Sequence, residues 1–143
     1  MSDGAKISIA CELDPTRETK AAIGKGLDAY NERFAGPEKE TPLWLVARTG
    51  DGQICAGLHG KFYWDRLYID WLWVADAHRC QGLGSQLLVR AEEFVRDRGC
   101  GGVFLNTFSF QAPKFYPRHG YQEFGRIEDF PKGHTQLWFA KRF

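Results

Sequence analysis

Three strand-like runs follow one another with only tight turns between them. Residues 43–48 (LWLVAR), 53–62 (QICAGLHGKF) and 66–74 (RLYIDWLWV) are rich in β-branched and aromatic side chains. The first turn contains Asp51-Gly52, a strong hairpin signal, and the second contains Trp64-Asp65. Connections this short can join only antiparallel neighbours, so the chain is predicted to contain an antiparallel meander.

One helix is predicted before the meander. Asp14 can cap free backbone amides, Pro15 suits the first helical position, and Gly36-Pro37 is typical of a helix end. Residues 5–10 (AKISIA) alternate like a short first strand. The apolar side chains of the helix have the spacing of a single face: Ile23, Leu27, Tyr30 and Phe34.

A second, strongly amphipathic helix is predicted after the meander. Its apolar stripe begins at Leu83, and Gly99 is placed to end it. The remaining elements are a buried strand at 102–107, a short helix around 110–118, and two strands near 121–127 and 135–141. This order predicts an α+β fold within the broad α/β class, with a mixed, mostly antiparallel sheet of about six or seven strands flanked by helices.

Length and composition exclude several classes of protein. The 143 residues correspond to one domain, 1–143, and a net charge of +1 gives no electrostatic basis for binding nucleic acid. The longest apolar run, 69–75, is too short to cross a membrane, and the acidic start is unlike a secretory signal, so a cytoplasmic protein is expected. No disulfide or metal site is expected from the four scattered cysteines: Cys11, Cys55, Cys80 and Cys100.

The segment 74–85 carries the clearest chemical signal. It places Gly82 and Gly84 between a predicted strand and the second helix, with Arg79 just before them. Glycines leave backbone amides unobstructed, and a helix start adds the positive end of a dipole, so a pyrophosphate would fit here. An ordinary strand-to-helix turn is the alternative. The Walker pattern and the GxGxxG dinucleotide pattern are both absent.

This segment resembles the coenzyme A loop of the GNAT superfamily of N-acetyltransferases. In that loop Arg or Gln is followed by two residues, Gly, one residue and Gly or Ala, and Arg79, Gly82 and Gly84 fill the pattern. A later family motif, Asn-x-x-Ala-x-x-x-Tyr-x-x-x-Gly followed by Phe or Tyr, is matched at the same spacing except at its first position. Its residues here are Ser109, Ala112, Tyr116, Gly120 and Tyr121. The order of elements also agrees, and SFQAPKFY and PKGH resemble a small bacterial branch of the superfamily.

The resemblance implies an acetyl-CoA-dependent N-acetyltransferase that moves the acetyl group directly to a primary amine of a small molecule in a ternary complex. It also implies that strand 66–74 splays from strand 102–107 near a bulge, so that the coenzyme pairs with its outer end. Ser109 is expected to cap the short helix in place of the family's Asn. The residues implied to bind coenzyme A are Leu72, Trp73, Val74, Arg79, Cys80, Gln81, Gly82, Leu83, Gly84, Ser85, Ser109, Ala112 and Tyr116.

Three residues are candidates for proton transfer. The resemblance implies that Tyr116 protonates the departing thiolate, and a packing role is the alternative. The acceptor amine must lose a proton before it attacks, for which Asp70 in its apolar strand and His134 in its Pro-Lys-Gly-His turn are the candidates. Asp70 could instead anchor a neighbouring loop or an ion pair, and His134 could be an exposed turn residue. Cys80 is interpreted as a structural residue because no His and Asp partners accompany it.

Three other functions stay open on the sequence alone. One is acetylation of a protein or peptide amine, the second is a non-catalytic acyl-CoA sensor, and the third is a pure scaffold. A homodimer that pairs through edge strands is also expected, and the apolar run 137–140 could lie at such an edge or pack internally.

Overall fold

The computed structural model describes residues 4–143, which form two compact units. The first unit ends at Glu38, and the second runs from Lys39 to Phe143. The first contains α1 (Arg17–Ala35). The second contains all of the sheet, and its elements are β1 (Thr41–Arg48), β2 (Ile54–Tyr63), β3 (Arg66–Val74), a 3-10 turn (Asp76–His78), α2 (Leu83–Asp97), β4 (Gly102–Phe108), α3 (Phe115–Arg118), β5 (Gln122–Glu128) and β6 (Thr135–Arg142).

Helix α1 begins two residues later than the sequence predicts. Thr16 is its N-cap, and the Thr16 hydroxyl accepts a hydrogen bond of 3.1 Å from the backbone N–H of Thr19. Because the Thr16 hydroxyl already satisfies this free amide, Asp14 is not the cap and Pro15 lies before the helix. The predicted end is confirmed, since Gly36 closes the helix with a φ of 72°.

The predicted first strand at 5–10 is wrong. The structure describes these residues as irregular chain. A β-strand is stable only when its backbone groups pair with another strand. The described part of this unit contains one helix and no strand. The alternating apolar residues at 5–10 have the pattern of a strand, but the described part of this unit offers no strand with which they could pair.

The second unit is built on a six-stranded open sheet with the order β1-β2-β3-β4-β6-β5. The first three strands form the predicted antiparallel meander, and β4 joins it parallel to β3. A parallel neighbour needs a long crossover, which α2 supplies. The predicted α+β fold with a mostly antiparallel sheet is confirmed. The run 137–140 lies in β6, between β4 and β5, so its predicted alternative position at a sheet edge is wrong.

Helix α2 packs its apolar stripe on one face of the sheet. Leu88, Ala91 and Val95 of the helix are fully buried together with Leu58 and Leu105 of the sheet. Burial of side chains of this size is worth about 1.5–3 kcal/mol each, so this contact fixes the helix that begins at the glycine-rich loop.

One charged group lies on the buried face of α2. The Glu92 carboxylate is only 3% exposed and accepts a hydrogen bond of 2.8 Å from the Lys141 ammonium of β6. The Tyr121 hydroxyl donates a second hydrogen bond of 3.3 Å to the same carboxylate. Burial and the Glu92 charge raise the pKa of the Tyr121 phenol. This ion pair therefore connects α2 to β6, in addition to the apolar contacts between the helix and the sheet.

The sheet opens between β3 and β4. Their pairing covers only Arg66–Ile69 and Gly102–Leu105, although both strands continue beyond it. The outer half of β3 therefore has no neighbour on its β4 side. Among residues 4–143, no helix combines the length and the apolar content that crossing a membrane requires.

Candidate active site

A cleft of about 1110 Å³ fills the opening between β3 and β4. Its walls are the outer half of β3, the loop that leads to α2, the first turn of α2, and the segment between β4 and α3. Most of the predicted site residues meet here: Asp70, Leu72, Trp73, Val74, Arg79, Cys80, Gly82, Leu83, Gly84, Ser85, Ser109, Ala112 and Tyr116. Gln81 and His134 are not among the residues that line the cleft.

A β-bulge lies where the cleft begins. In the register of β2 and β3, Gly60 pairs with Ile69 and His59 pairs with Trp71, which leaves Asp70 as the extra residue. A Cβ atom on Gly60 would lie 2.7 Å from the Tyr68 carbonyl oxygen, so only glycine fits this close approach of the strands. Bulges of this kind redirect side chains beside active sites.

The loop before α2 presents free backbone amides to the cleft. Gly82 is the N-cap of α2 with a φ of 79°, no side chain caps this helix, and its first turn contains no acidic residue. The first amides of a helix have no partners within it, so those at Leu83, Gly84 and Ser85 are available to an anion. Arg79 adds a cation, and its guanidinium contacts the Val74 carbonyl oxygen at 3.3 Å and Asp76 at 2.9 Å.

Charge is unevenly distributed around the cleft. The cationic side chains that line it come from the loop and from the α3 region, and they belong to Arg79, Lys114 and Arg118. Of the described residues that line the cleft, Asp70 alone carries a carboxylate, and it lies on β3. One side of the cleft therefore suits an anionic ligand and the other a cationic one.

The phenol of Tyr116 belongs to the wall of the cleft. Its side chain packs against Phe115, Tyr121 and Phe139, and the residue is 8% exposed. Burial raises the pKa of Tyr116 to about 12. No described residue hydrogen-bonds to this hydroxyl, yet every fully buried side-chain polar atom in the described chain has a partner, so the hydroxyl opens onto the cleft that Tyr116 lines.

We expect the burial of Tyr116 to make stability fall as pH rises above about 10. An unfolded chain ionises a tyrosine near its ordinary pKa of about 10, whereas the folded protein keeps this proton until a pH of about 12. Below pH 10 neither state ionises, so the pKa shift has no effect there. Between these values the unfolded state holds fewer protons, and the free energy of unfolding falls by up to about 1.4 kcal/mol per pH unit for this phenol.

Denaturant unfolding of the wild type and of Tyr116→Phe between pH 8 and about 11 measures this effect. The variant is expected to lose less stability than the wild type over that range, because both chains share every other ionisable group. Parallel losses in the two chains would contradict the predicted linkage.

Ser109 does not cap the short helix, so that expectation is wrong. Its hydroxyl accepts a hydrogen bond of 2.9 Å from the Thr135 N–H, and its own N–H donates to the Thr135 carbonyl oxygen at 2.8 Å. Helix α3 begins after Lys114 without a side-chain cap. Because Ser109 continues the pairing of β4 with β6, its hydroxyl is occupied before the chain turns toward the helix.

A histidine that the sequence analysis missed contacts Asp70. The Nδ1 atom of His59 lies 2.6 Å from the Asp70 carboxylate, and the His59 ring lies 4.0 Å from the ring of Trp44 and 5.3 Å from that of Trp71. The signal was present, since counting back equally from the Trp64-Asp65 turn along an antiparallel hairpin places residue 59 opposite residue 70.

Asn106 is a second missed residue of the cleft. Its amide group donates to the Tyr68 hydroxyl at 2.9 Å and accepts from Gln136 at 3.0 Å, which fixes its orientation where β4 leaves β3. An asparagine near the end of the predicted buried strand 102–107 was the available signal. His134, in contrast, is exposed and packs edge-on against Phe110, which lines the cleft.

Comparison with known proteins agrees with this geometry. Residues 11–121 of the chain match the Acetyltransferase (GNAT) family. An acetyltransferase of Agrobacterium fabrum is 34% identical over 88% of this chain and 92% of its own length. The blasticidin-S acetyltransferase of Streptomyces morookaense is 45% identical over 63% of this chain and 67% of its own length.

A solved structure extends the agreement to the whole fold. The crystal structure of an acetyltransferase from Bacillus cereus superimposes with a TM-score of 0.85 and 38% sequence identity, covering 94% of this chain and 98% of that one. The splayed sheet and the glycine-rich helix start thus occur in a chain whose family match covers most of its length. The protein belongs to the GNAT family and is an acetyltransferase.

Proposed function

We propose that the protein transfers the acetyl group of acetyl-CoA directly to a primary amine of a small molecule, within a ternary complex. The observation that carries the proposal is the meeting of two features in one cleft. The unpaired outer half of β3 and the uncapped start of α2 face the same space. A long ligand with an anionic bridge and a chain of amides would satisfy both.

The coenzyme is proposed to lie along the cleft with its pyrophosphate at the start of α2. The backbone amides from Arg79 to Ser85, Gln81 included, would hold the pyrophosphate, and the Arg79 guanidinium would add charge. The pantetheine arm would pair with β3 at Leu72, Trp73 and Val74 as an additional strand. Ser109 and Ala112 border the same space from the β4 side.

The reaction needs an oxyanion donor and a general acid. The acceptor nitrogen attacks the thioester carbon, the C=O pair moves to oxygen, and a backbone amide close to Val74 donates to that oxygen. When the intermediate collapses, the C–S bond breaks and its electron pair goes to sulfur. The Tyr116 phenol gives its proton to this thiolate, and its pKa of about 12 keeps it protonated at assay pH.

Asp70 is the proposed destination of the acceptor's proton. Its carboxylate lines the cleft beside the bulge, and it can take the proton directly or through a water molecule. His134 is a weaker candidate because it lies outside the cleft lining and packs against Phe110. A pH–rate profile unchanged in both Asp70→Asn and His134→Ala would remove both residues from the mechanism.

We expect the two glycines of the loop to differ in their tolerance of a side chain. Gly82 has a φ of 79°, so Gly82→Ala strains the backbone by about 1–2 kcal/mol and should weaken acetyl-CoA binding at least about tenfold. A Cβ on Gly84 would lie 3.6 Å from the Phe115 ring, which is ordinary contact. Gly84→Ala is therefore the matched control and should bind close to wild type.

Calorimetric titration of both variants with acetyl-CoA measures this difference. Equal affinity in the two variants would contradict the role assigned to the Gly82 turn. Unfolding measurements on the same samples separate a binding defect from a folding defect, because Ala within a helix is otherwise favourable relative to Gly.

A panel of amines tested for release of free thiol from acetyl-CoA examines the proposed function as a whole. The name of the blasticidin-S relative supports small-molecule acceptors, so we expect turnover with small amines and little with peptides. Peptide turnover alone would favour a protein acetyltransferase. Binding of acetyl-CoA without turnover of any amine would favour the sensor.

The proposed setting is the cytoplasm, where free thiols stay reduced, and all four cysteines of the chain are free. A homodimer paired through the sheet would use β1 or β5, since these are its two edge strands.

A further inference from the structure

We propose that Asp70, held by His59 and bordered by Trp71, binds the cationic group of the acceptor, so that the preferred acceptors are cationic amines without an anionic group beside the amine. This inference rests on the proposed function. It adds the chemical class of the acceptor and a positioning residue, His59.

The Asp70 carboxylate lines the cleft, and no lysine or arginine of the described residues pairs with it. Its partner among the described residues is the His59 ring, and the Asp70 side chain keeps 30% of its surface exposed. Lys61, one position further on the same face of β2, lies 3.8 Å from Glu40 and 5.3 Å from the Tyr63 ring. A cationic ligand can therefore supply the positive partner that the Asp70 carboxylate lacks.

His59 fixes the direction of the carboxylate. With a proton on Nδ1, the imidazole donates to one carboxylate oxygen over 2.6 Å and leaves the other oxygen free. The ring itself packs against the rings of Trp44 and Trp71, which also contact each other at 5.8 Å, so the three rings form one aromatic cluster that restricts the histidine. Asp70 is thereby held toward the cleft although it occupies the irregular position of the bulge.

The indoles of β3 complete the proposed cation site. Trp71 and Trp73 line the cleft on the same strand as Asp70. The face of an indole attracts a cation, and a nearby carboxylate attracts it more strongly. The same field repels an acceptor that carries a carboxylate beside its amine.

Two non-reactive probes test the cation site without turnover. The N,N,N-trimethyl derivative of tyramine has a permanent charge and no proton to lose, and 4-(3,3-dimethylbutyl)phenol has the same shape without charge. Each is titrated calorimetrically into protein saturated with CoA at about pH 8. We expect the cation to bind at least about tenfold more tightly than its neutral counterpart.

Four variants identify the residues responsible. Asp70→Asn should bring the ratio of the two affinities close to one, and His59→Leu should lower it several-fold. His59→Asn should largely restore the ratio, because an Asn amide can donate from nearly the same position. Glu93→Gln, which removes an exposed carboxylate of α2 paired with Arg90, is the matched control and should retain the wild-type ratio.

The outcomes separate this inference from the proposed function. Equal binding of the two probes to the wild type, or an unchanged ratio in Asp70→Asn, would overturn the cation site while thiol release with other amines still supports an acetyltransferase. Equal loss in His59→Leu and His59→Asn would overturn the positioning role of His59. Failure of the wild type to bind CoA at all would overturn the proposed function itself.

Discussion

Tyr116→Phe is expected to lower kcat at least about tenfold and to leave the affinity for acetyl-CoA nearly unchanged. The substitution removes one oxygen from a side chain that is otherwise packed among Phe115, Tyr121 and Phe139. The apolar contacts survive, so the fold and the cleft should persist. The departing thiolate, however, loses its proton donor and must leave as an anion or find a water molecule.

Steady-state kinetics and acetyl-CoA titration together measure this effect. Tyr63→Phe is the matched control, since Tyr63 lies on β2 outside the cleft and should keep the wild-type kcat. A kcat in Tyr116→Phe equal to that of the wild type would remove the phenol from the mechanism. A loss of acetyl-CoA affinity without a fall in kcat would reassign Tyr116 to coenzyme binding.

The second large effect is expected in stability, from Lys141→Met. Glu92 is 3% exposed, and the substitution would leave its carboxylate buried without its cation. Removing one partner of a buried pair typically costs about 3–5 kcal/mol, because the remaining charge stays desolvated. The Tyr121 hydroxyl would remain as a donor to Glu92, but a neutral donor cannot balance the charge.

Equilibrium unfolding in denaturant measures the cost of Lys141→Met. Arg126→Met is the control, since Arg126 forms an exposed ion pair of 2.7 Å with Glu123, and we expect little measurable change from it. The double variant Glu92→Gln with Lys141→Met should regain much of the lost stability, because it removes the buried charge. A single variant as stable as the wild type would show that Glu92 is not buried in solution.

Patterns that depend on neighbouring residues were predictable from the sequence. The meander followed from two tight turns, and α2 followed from its apolar stripe and the glycines before it. The predicted place of the cleft followed from the resemblance, because the residues quoted for the coenzyme loop do lie together. These features are encoded within short stretches of chain.

Features that depend on distant partners were not predictable. The strand expected at 5–10 lacked a partner, and the Ser109 hydroxyl was taken by Thr135, which lies 26 residues away. The helix start was missed for a local reason, since Thr16 was the better placed of two capping residues. His59 and Asp70 meet across a hairpin, so their pairing became visible only through the register of two strands.

The extra residue at Asp70 also decides which side chains of β3 face the core. Leu67 and Ile69 are buried before it, and Leu72 and Val74 pack against the core after it, so the inward positions change from odd to even numbers. Without this change of phase, Trp71 and Trp73 would point at α2, and the leucine and valine would point away. The bulge at Asp70 therefore keeps the two indoles of the outer half of β3 out of the interior and its leucine and valine in it.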